Sequence, residues 1–595
     1  MKGFLAGYLR GAKNVPENPE WNRRLTAWEA GLHEGGLKKS VSGPFTLWLY
    51  SRSIVPCESN QRLIVGAGGG AMHLYAGPRV DLSQETLPLP SAGTAAEAAR
   101  DARLFTRGME TAVLIAARAD GSLLVKTDLL NSLYVYVLET PTHVWLSTSS
   151  LLLAHLAGAG IDAVPAAEFL ATGSIYGNRS LYQNISTLKP SRMYVWKGAA
   201  ARSEAEYWRI GEIAFGSLGI DKALEQMLIA IDEDCKRLKG LGRYVFDLTG
   251  GYDSRCNLGF ALRNRLDFRT TVSGPESDED VRVAAAIAAH YRLKHTRVES
   301  GQRDAGGIGP GAAAALVYAD GEYDAIEYTK IMDIHARDFA PTEISVHGST
   351  ADVMRNYFLH PSFYKGSPTG DVDFAGLIAK RFPPSVDVRR LMRPAHAFDW
   401  AAHIRERIGQ YDLEGRPAFA RLDNIYLRIR MQFWQGRIAS ATNRIHGSFT
   451  PWNNIDALSA VLACKWEDKR SHMLSRALLS RLHPGLTGFP IAGGNVAGPG
   501  ALDTAMALPR KAVAFAAKVR NKLLKPPPRP GAELDSAFLR KEVPARIGIL
   551  QDILDPQAFQ AGGVNGIDYS GNAKVLARAY TLIAAAESLA SGRAP

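Results

Sequence analysis

The stretch VFDLTGGYDSRCNLGFAL, residues 245–262, places two adjacent glycines and an Asp-Ser pair between two apolar runs. The first run is typical of a strand and the second of a helix, so the glycines fall where a strand passes into a helix. Backbone N–H groups at a helix N-terminus, unobstructed by side chains at Gly250 and Gly251, can hold phosphate. Asp253 adds a carboxylate of the kind that binds Mg²⁺ when the ion bridges phosphates. The pattern predicts a site that grips pyrophosphate as a leaving group.

A tight glycine turn between a strand and a helix is the structural alternative for the same residues. The Walker-type loop requires Gly-Lys followed by Ser or Thr, and the chain contains no Gly-Lys pair. A second glycine-rich stretch, LIVGAGGGA at 63–71, fits the dinucleotide pattern G-x-G-x-x-A. However, the residues after it alternate like a strand and are interrupted by Pro78, whereas that pattern requires a helix. This second stretch therefore predicts a glycine turn between two strands.

Two kinds of region follow each other along the 595-residue chain, a length that favours two domains. Short β-branched and aromatic segments, separated by turn residues, fill roughly the first two hundred residues and predict an antiparallel layered domain. From about residue 215, Ala/Leu/Arg-rich segments of helical period alternate with short apolar strands, which predicts a parallel sheet covered by helices. We place the boundary within 206–216 and divide the chain into domains 1–208 and 209–595.

The composition, 46% hydrophobic and 22% charged residues, is ordinary for a globular protein. No C-x-x-C spacing is present, so neither a disulfide framework nor a zinc site is expected. A start without a signal-peptide core, and the lack of an apolar run of membrane-spanning length, favour a cytoplasmic location and no membrane partner. The net charge of +11 favours anionic ligands without selecting among nucleotides, nucleic acid and acidic lipid. The basic segment 509–530 is either a solvated helix and loop or a docking surface.

The loop LTGGYDSR resembles the S-G-G-x-D-S pyrophosphate loop of the asparagine synthetase family, with Thr249 in place of the first serine. Five further stretches resemble segments of that family in the same order. They are DLLNSLYVYV with HVWLSTSSLLLAHL, LATGSIYGNRSLYQNISTLKPSRMYVWKG, TTVSGPESDEDVRVAAAIAAHYRLKHTRV, HGSTADVMRNYF and WEDKRSHMLSRAL. The resemblance covers most of residues 120–490, and a set of matches in order is far more specific than one loop.

The resemblance implies an α/β protein in which a degenerate antiparallel domain of the N-terminal nucleophile (Ntn) glutaminase type precedes a parallel-sheet synthetase domain of the PP-loop ATP pyrophosphatase type. Members of the family adenylate a carboxylate with ATP and Mg²⁺ and then transfer the acyl group to an amine. By position, Asp253 and Asp352 would hold Mg²⁺ on the pyrophosphate, and Val272 and Gly274 would contact adenosine. The residues that would bind the phosphates are Thr249, Gly250, Gly251 and Ser254.

Three positions depart from the family pattern. Residue 2 is Lys2, where glutamine-hydrolysing members carry a nucleophilic cysteine, so we expect the N-terminal domain to lack hydrolytic function. Ser349 stands at the position of an acid in the HGSTAD loop, and Leu486 is the best match to a late lysine. The acceptor half-reaction would then use other groups. The predicted catalytic residues are Asp253, Asp352, Ser349 and His347, with Glu327, Tyr328 and Lys469 as further candidates.

These departures favour an ATP-dependent amide ligase that does not hydrolyse glutamine. It would act on a carboxylate-bearing small molecule or peptide. One form of the hypothesis is a cyclase similar to lasso-peptide macrolactam synthetases or β-lactam synthetases, whose partners would include a precursor peptide and a leader-processing protein. The alternatives are an ammonia-dependent asparagine synthase and a nucleotide-binding regulatory pseudoenzyme. A tRNA-modifying enzyme would explain the charge and predicts salt-sensitive RNA binding, but the chain has no RNA-binding motif and no nucleic-acid partner is expected.

Overall fold

The computed structural model describes most of the chain from residue 111 onwards and shorter segments before it. The described residues are 2–9, 19–30, 37–42, 45–51, 66–68, 71–76, 94–99, 111–118, 120–198, 200–239, 242–299, 305–340, 343–491, 495–496 and 532–592. Cys57 and the basic segment 509–530 lie outside these residues. None of the described helices combines the length and the apolar character needed to cross a bilayer.

The first part of the chain forms two antiparallel sheets. The strand order is β10-β8-β9-β1-β3-β2 in one sheet and β12-β11-β7-β6-β5-β4 in the other. The strands are β1 (Lys2–Leu9), β2 (Leu37–Ser42), β3 (Phe45–Ser51), β4 (Gly66–Gly68), β5 (Ala71–Ala76), β6 (Val113–Ala117), β7 (Leu123–Lys126), β8 (Tyr136–Glu139), β9 (His143–Ser147), β10 (Ser186–Thr187), β11 (Arg192–Trp196) and β12 (Ser203–Glu206).

An apolar core joins these two sheets. Phe4 and Tyr8 of β1 belong to one buried cluster with Ile115 of β6 and Val125 of β7, as the alternation of inward side chains requires. The antiparallel layers expected from the sequence are therefore confirmed. Within the glycine-rich stretch 63–71 the structure describes residues 66–68 and Ala71; β4 (Gly66–Gly68) pairs antiparallel with β5, so two strands adjoin here as predicted, while the turn residues 69–70 lie outside the described residues.

The second part contains a five-stranded parallel sheet with the order β15-β14-β13-β16-β17. Tyr244, Val245 and Phe246 of the central strand are all buried, as expected for a parallel strand that is covered on both faces. This confirms the predicted parallel sheet. The strands are β13 (Arg243–Asp247), β14 (Phe268–Ser273), β15 (His295–Val298), β16 (Glu343–Val346) and β17 (Ser448–Phe449), followed by a small antiparallel pair, β18 (Pro490–Ile491) and β19 (Asn495–Val496).

Side-chain caps fix the start of many helices. Asp162 and Asp278, for example, accept hydrogen bonds from the first-turn N–H groups of α3 and α6. The helices are α1 (Pro19–Ala30), α2 (Ser150–Ala157), α3 (Ala163–Thr172), α4 (Ile220–Leu238), α5 (Tyr252–Asn264), α6 (Glu279–His290), α7 (Ile308–Ala319), α8 (Ala325–Asp338), α9 (Phe374–Arg381), α10 (Val388–Leu391), α11 (Trp400–Gly409), α12 (Ala418–Ile425), α13 (Gly436–Asn443), α14 (Ile455–Ala463), α15 (Trp466–Lys469), α16 (Met473–Leu482), α17 (Ala532–Arg546) and α18 (Ala573–Ser591).

Buried polar contacts connect the two parts. Asp320, in the turn between α7 and α8, accepts a hydrogen bond from Ser149 Oγ at 2.5 Å. Glu322, in the same turn, accepts from the Tyr136 hydroxyl at 2.6 Å and pairs with Arg437. The last strand of the two large antiparallel sheets, β12, ends at Glu206, and α4 begins at Ile220. The division into separate domains at 208/209 remains a prediction.

Candidate functional site

The candidate site lies at the carboxyl end of the parallel sheet, between β13 and β16. These two strands are neighbours, and the chain leaves them toward opposite edges of the sheet, which makes this a topological switch point, the place where open parallel sheets commonly bind ligands. The loop after β13 enters α5, and the loop after β16 enters a short 3₁₀ helix, Ala351–Arg355. A Cβ atom on Gly348 would lie 2.9 Å from the Cβ of Asp253. The two predicted loops are therefore in contact, and glycine permits their approach.

Hydroxyl groups and a carboxylate hold the glycine loop in shape. The Thr249 N–H donates to Ser254 Oγ at 3.0 Å, and the Gly251 N–H donates to Thr249 Oγ1 at 3.1 Å. The Gly250 N–H donates to a carboxylate oxygen of Asp280, in the first turn of α6, at 2.7 Å. The sequence pattern predicts that the glycine amides face phosphate, whereas here they have acceptors within the protein. Asp280 was not among the predicted residues.

The first turn of α5 remains suited to an anion. Gly251 precedes this helix without a side-chain cap, so the N–H groups of the first turn have no side-chain acceptor there. The helix dipole also favours negative charge at this end. Binding of a phosphate to this turn, as the sequence predicts, would not require the loop to change. Use of the Gly250 N–H would require Asp280 to move away.

Asp253 and Asp352, called the acid pair below, form the charged centre of the site. Burial and the neighbouring Asp352 carboxylate raise the pKa of Asp253 to about 7. Arg355 contacts Oδ1 of Asp352 through both Nε and Nη2, each at 2.6 Å, which leaves Oδ2 for a further ligand. An acid that is held partly protonated beside a second carboxylate gains strongly from a nearby cation.

The acid pair fits a magnesium ion shared with phosphates better than an ion held by protein alone. Across the described part of the chain, no group of three or more His, Cys, Asp or Glu side chains is arranged to hold a metal. Mg²⁺ commonly takes one or two carboxylates and completes its coordination with water and substrate phosphate oxygens. The acid pair and the adjacent first turn of α5 match that division of ligands.

Side chains from distant parts of the chain complete the surroundings. His472 stacks on Tyr252 with ring centroids 4.8 Å apart, and Arg476 Nε donates to the Tyr252 hydroxyl at 2.8 Å. Burial and the nearby Arg355 lower the pKa of His472 to about 4, so this ring is neutral at pH 7. Burial and the acid pair raise the pKa of Tyr426 well above its ordinary value. The site thus combines two carboxylates with an aromatic and cationic wall.

Sequence reasoning missed these wall residues. Arg355 alone had a local signal, because it lies three residues after Asp352, a spacing that brings opposite charges together on a helical turn. His472 and Arg476 flank the start of α16, and Tyr426 follows α12, more than 70 residues from the Asp352 loop. Nothing in the local sequence links those positions to the acid pair.

The predicted residues Ser349 and His347 form a hydrogen-bonded pair, with Ser349 Oγ 2.5 Å from His347 Nδ1. Burial lowers the pKa of His347 to about 4, so the ring is neutral at pH 7 and one of its nitrogens can accept a hydrogen bond. Behind it, His335 Nδ1 lies 2.7 Å from His446 Nε2, and His446 Nδ1 lies 3.0 Å from the Gly447 carbonyl oxygen. Because a carbonyl only accepts, His446 carries its proton on Nδ1 and accepts the Nδ1 proton of His335.

The backbone beside this pair is strained. Thr350 has a φ of 75°, a left-handed conformation that is rare for a β-branched residue. Its buried hydroxyl donates to Asn453 Oδ1 at 2.9 Å, and the Thr450 hydroxyl donates to the Ser349 carbonyl at 2.8 Å. Surrounding contacts must maintain such strain, and it is concentrated at functional sites. The loop is therefore held rigidly where the Ser349–His347 pair is located.

The predicted adenosine contacts lie at the same edge of the sheet. Val272 is buried near the end of β14, the strand beside β13. Gly274 follows with a φ of 139°, a conformation that L side chains rarely adopt. The position of both residues is compatible with the predicted role, which remains a prediction.

The further candidates for the acceptor side have other surroundings. Lys469 is fully buried, and its ammonium group pairs with Asp423, so its charge is already compensated. Leu486 is buried. Glu327 is exposed in the first turn of α8, and Tyr328 beside it is buried. Ser349 and His347 are the candidates that adjoin the Asp352 loop directly.

Comparisons with known proteins show only remote similarity. No known protein family and no curated protein matches the chain. NMN synthetase from Francisella tularensis is 14% identical, with a TM-score of 0.17, over 24% of this chain and 59% of that one, so the chain spans under two thirds of its length. The allosteric regulatory enzyme of purine biosynthesis is 7% identical, with a TM-score of 0.21, over 50% and 81%. The glutamine phosphoribosylpyrophosphate amidotransferase from B. subtilis, complexed with ADP and GMP, is 10% identical, with a TM-score of 0.22, over 68% and 89%. These TM-scores are too low to assign a fold or a function to the chain, and the family resemblance remains a hypothesis.

Proposed function

We propose that the chain is an ATP-dependent carbon–nitrogen ligase that adenylates a carboxylate, releases pyrophosphate and passes the acyl group to an amine without hydrolysing glutamine. The observation that carries the proposal is the contact of two loops at the switch point of the parallel sheet. That contact sets Asp253 beside Asp352 at the N-terminus of α5. Anion-binding amides and paired carboxylates are the groups needed to hold a magnesium–pyrophosphate unit.

In the adenylation half-reaction the acid pair would hold Mg²⁺, which would stabilise negative charge on the departing pyrophosphate. The N–H groups in the first turn of α5 would bind phosphate oxygens. Arg355 orients Asp352 through its two contacts with Oδ1. Val272 and Gly274 would contact adenosine. The role of the protein in this step is therefore to position the reactants and to bind charge.

In the acceptor half-reaction the amine must lose a proton as it attacks the acyl carbon. A positioned general base contributes roughly 10²–10⁴-fold to such a step. His347, hydrogen bonded to Ser349, would take this proton directly or through the serine hydroxyl. Because burial lowers its pKa to about 4, the bound substrate would have to raise the basicity of the ring for this role. His335 and His446 fix the protonation pattern behind it. This group would replace the acid and the lysine that the resemblance leads one to expect.

Hydrolysis of glutamine in this family uses a nucleophilic thiol, and none of the described cysteines is suited to that role. Cys235, Cys256 and Cys464 are buried. Burial raises the pKa of Cys464 to about 11 and that of Cys256 well above its ordinary value. Thiols in such surroundings are poor nucleophiles. The amine would come from free ammonia or from the substrate itself, and the cyclase form of the proposal needs no ammonia source.

The test is ATP–pyrophosphate exchange by the full chain with Mg²⁺, across a panel of carboxylates that includes aspartate and short peptides. We expect exchange with at least one carboxylate and its loss in Asp352→Asn. Asp267→Asn is a matched control, since that side chain is 78% exposed. A regulatory pseudoenzyme would bind ATP without exchange. Normal exchange by Asp352→Asn would contradict the assigned role, and efficient asparagine formation from aspartate and ammonia would favour the asparagine synthase alternative.

A further inference from the structure

Asn453 links the antiparallel part of the chain to the loop that carries Ser349 and His347. Its Oδ1 accepts a hydrogen bond from the Thr350 hydroxyl at 2.9 Å, and its Nδ2 donates to Ser132 Oγ, also at 2.9 Å. Ser132 lies between β7 and β8, and Thr350 directly follows Ser349. All three linked side chains are buried. Ser132, Asn453 and Thr350 are called the Asn453 bridge below.

Ser132 is itself fixed within the antiparallel part. Its N–H donates to Asp128 Oδ2 at 2.6 Å, and the Leu133 N–H donates to the same oxygen at 3.2 Å. Asp128 is fully buried in the segment that leads from β7 to β8. A side chain that accepts from nearby backbone N–H groups holds such a segment in one conformation. The hydroxyl that Asn453 contacts is therefore positioned by residues of the antiparallel part.

A second route leads from Ser132 to the same loop. Asn443 Nδ2 donates to the Ser132 carbonyl at 3.2 Å, and Asn443 Oδ1 accepts from the Ser448 N–H at 2.8 Å, at the start of β17. β17 pairs with β16, and the Phe449 carbonyl accepts from the His347 N–H at 3.1 Å. Ser132 is thus connected to the loop through its hydroxyl and through its carbonyl, by two different asparagines.

The backbone of Thr350 explains why the loop needs this support. Its φ of 75° lies in the left-handed region, which a β-branched residue rarely adopts. A strained conformation of this kind persists only where the surrounding contacts determine it. Without the bond to Asn453 the backbone would be free to relax, and Ser349, immediately before Thr350, would shift relative to His347. The contacts of the Thr350 side chain therefore decide where the Ser349–His347 pair lies.

We infer that the antiparallel part of the chain positions the Ser349–His347 pair, and that the Asn453 bridge carries this effect from one part to the other. Ser132 and Asn453 are positioning residues, since both act through Thr350. The conformational claim stands on these contacts alone, whereas its effect on catalysis rests on the proposed ligase function, in which the pair serves the acceptor half-reaction. The antiparallel part would then contribute to amide formation without hydrolysing glutamine.

Hydrogen exchange of the full chain tests the conformational claim without a substrate. Ser132→Ala removes the first hydroxyl of the bridge, and Thr350→Ala removes the last. In each variant the backbone amides of residues 347–356 should exchange roughly tenfold faster, the effect of losing one buried hydrogen bond. Thr350→Ser keeps the hydroxyl and should exchange as the wild type does. Circular dichroism and urea unfolding would establish that each variant is folded and how far its overall stability changes.

Ser180→Ala is the matched control. Ser180 is a buried serine of the antiparallel part, and its hydroxyl donates to the carbonyl groups of Tyr182 and Ile185 in the same part. Its loss should change the overall stability about as much as the loss of the Ser132 hydroxyl, while hydrogen exchange at 347–356 stays as in the wild type. The comparison separates an effect on the loop from a general loss of stability.

Two assays on the same variants test the effect on catalysis. With a carboxylate that supports pyrophosphate exchange in the wild type, Ser132→Ala should lower the rate of amide formation roughly tenfold and change the rate of pyrophosphate exchange by less than about twofold. Thr350→Ser and Ser180→Ala should keep both rates close to those of the wild type. A merely structural role of Ser132 would lower both rates together.

Unchanged hydrogen exchange at 347–356 in both Ser132→Ala and Thr350→Ala would overturn the inference, as would an equal change in Ser180→Ala. Faster hydrogen exchange with unaltered amide formation would refute the positioning role in catalysis. If the wild type shows no pyrophosphate exchange with any carboxylate, the proposed ligase function fails, and hydrogen exchange still decides whether the Asn453 bridge controls the loop.

Discussion

Replacing Asp253 by asparagine should stabilise the folded protein at neutral pH while abolishing adenylation. The carboxylate of Asp253 is held beside Asp352 and is largely enclosed by protein, which raises its pKa to about 7. The folded protein therefore bears a free-energy cost when Asp253 ionises. Asparagine has nearly the same shape and carries no charge, so the substitution removes that cost together with the proposed metal ligand.

The magnitude follows from the change in pKa between the unfolded and the folded chain. An aspartate in the unfolded chain titrates near pH 4, and each pKa unit corresponds to about 1.4 kcal/mol. A folded pKa of about 7 then implies a loss of stability of roughly 4 kcal/mol at most. Because Asp253 keeps part of its surface exposed, we expect roughly 1–2 kcal/mol instead.

The sign can be checked against proton binding. Between about pH 4 and pH 7 the unfolded chain has released this proton while the folded chain retains it, so the unfolded state binds fewer protons and stability falls as pH rises. Asp253→Asn lacks this titration. Its free energy of unfolding, relative to the wild type, should be nearly unchanged at pH 4, increase through this range and level off above pH 7.

Urea unfolding at pH 4.5, 6 and 8, followed by tryptophan fluorescence, would measure the effect. Asp267→Asn is the control, since a surface pair of this exposure contributes little at any pH. A variant that is destabilised throughout, or whose gain does not depend on pH, would refute the view that the acid pair is electrostatically strained. A stabilised variant that still exchanges pyrophosphate would separate the strain from the function.

Three further predictions concern the loop, the acceptor side and the contact between the two parts of the chain. Asp280→Ala should tighten ATP binding several-fold, measured by calorimetry, because the substitution frees the Gly250 N–H to bind phosphate. Weaker ATP binding would show instead that the Asp280 carboxylate organises the loop. Ser349→Ala and His347→Gln should each lower the rate of amide formation by roughly 10²-fold or more. Both variants should leave the rate of pyrophosphate exchange nearly unchanged. Equal losses in the two assays would contradict a role in the acceptor half-reaction. Glu322→Ala should lower the free energy of unfolding by about 3–5 kcal/mol, because it leaves the buried Arg437 without its partner. A loss below ~1 kcal/mol in urea unfolding would show that the pair of Glu322 and Arg437 is not needed for stability.

The first central loop was predicted because it follows directly on an apolar strand, whereas the second was identified only through the family resemblance of HGSTAD, although it too follows a buried strand. RYVFDLTG predicts a short apolar strand that ends in small and polar residues, and in the structure it pairs in parallel with β16, so that the carboxyl ends of both strands share one edge of the sheet. The roles of the glycines in the first loop were only partly predictable. Gly250 and Gly251 have ordinary negative φ angles, and their N–H groups are occupied by the Asp280 carboxylate and by a hydroxyl of the same loop. The residue that demands glycine is Gly348, in the second loop.

The surroundings of the acid pair were not predictable because they depend on contacts between residues far apart in sequence. Near His347, the hydrogen bond between His335 of α8 and His446 joins two residues that are more than 100 positions apart in the sequence. Each histidine on its own is typical of a buried polar residue with a partner. Their mutual orientation follows from the packing of α8 against the sheet and from the carbonyl that His446 faces. Periodicity and motif spacing contain no information of that kind.

If the site binds ATP and Mg²⁺ as proposed, its charges imply that the two bind interdependently. Arg355 pairs with Asp352, and burial together with the neighbouring Asp352 carboxylate raises the pKa of Asp253 despite the nearby Arg355. Asp280 adds a third carboxylate, at the glycine loop itself. A bare triphosphate would meet this excess of negative charge, whereas a divalent ion alone would find only two carboxylates and no third protein ligand among the described residues. Each partner therefore supplies what the other requires, and ATP should bind measurably only when Mg²⁺ is present.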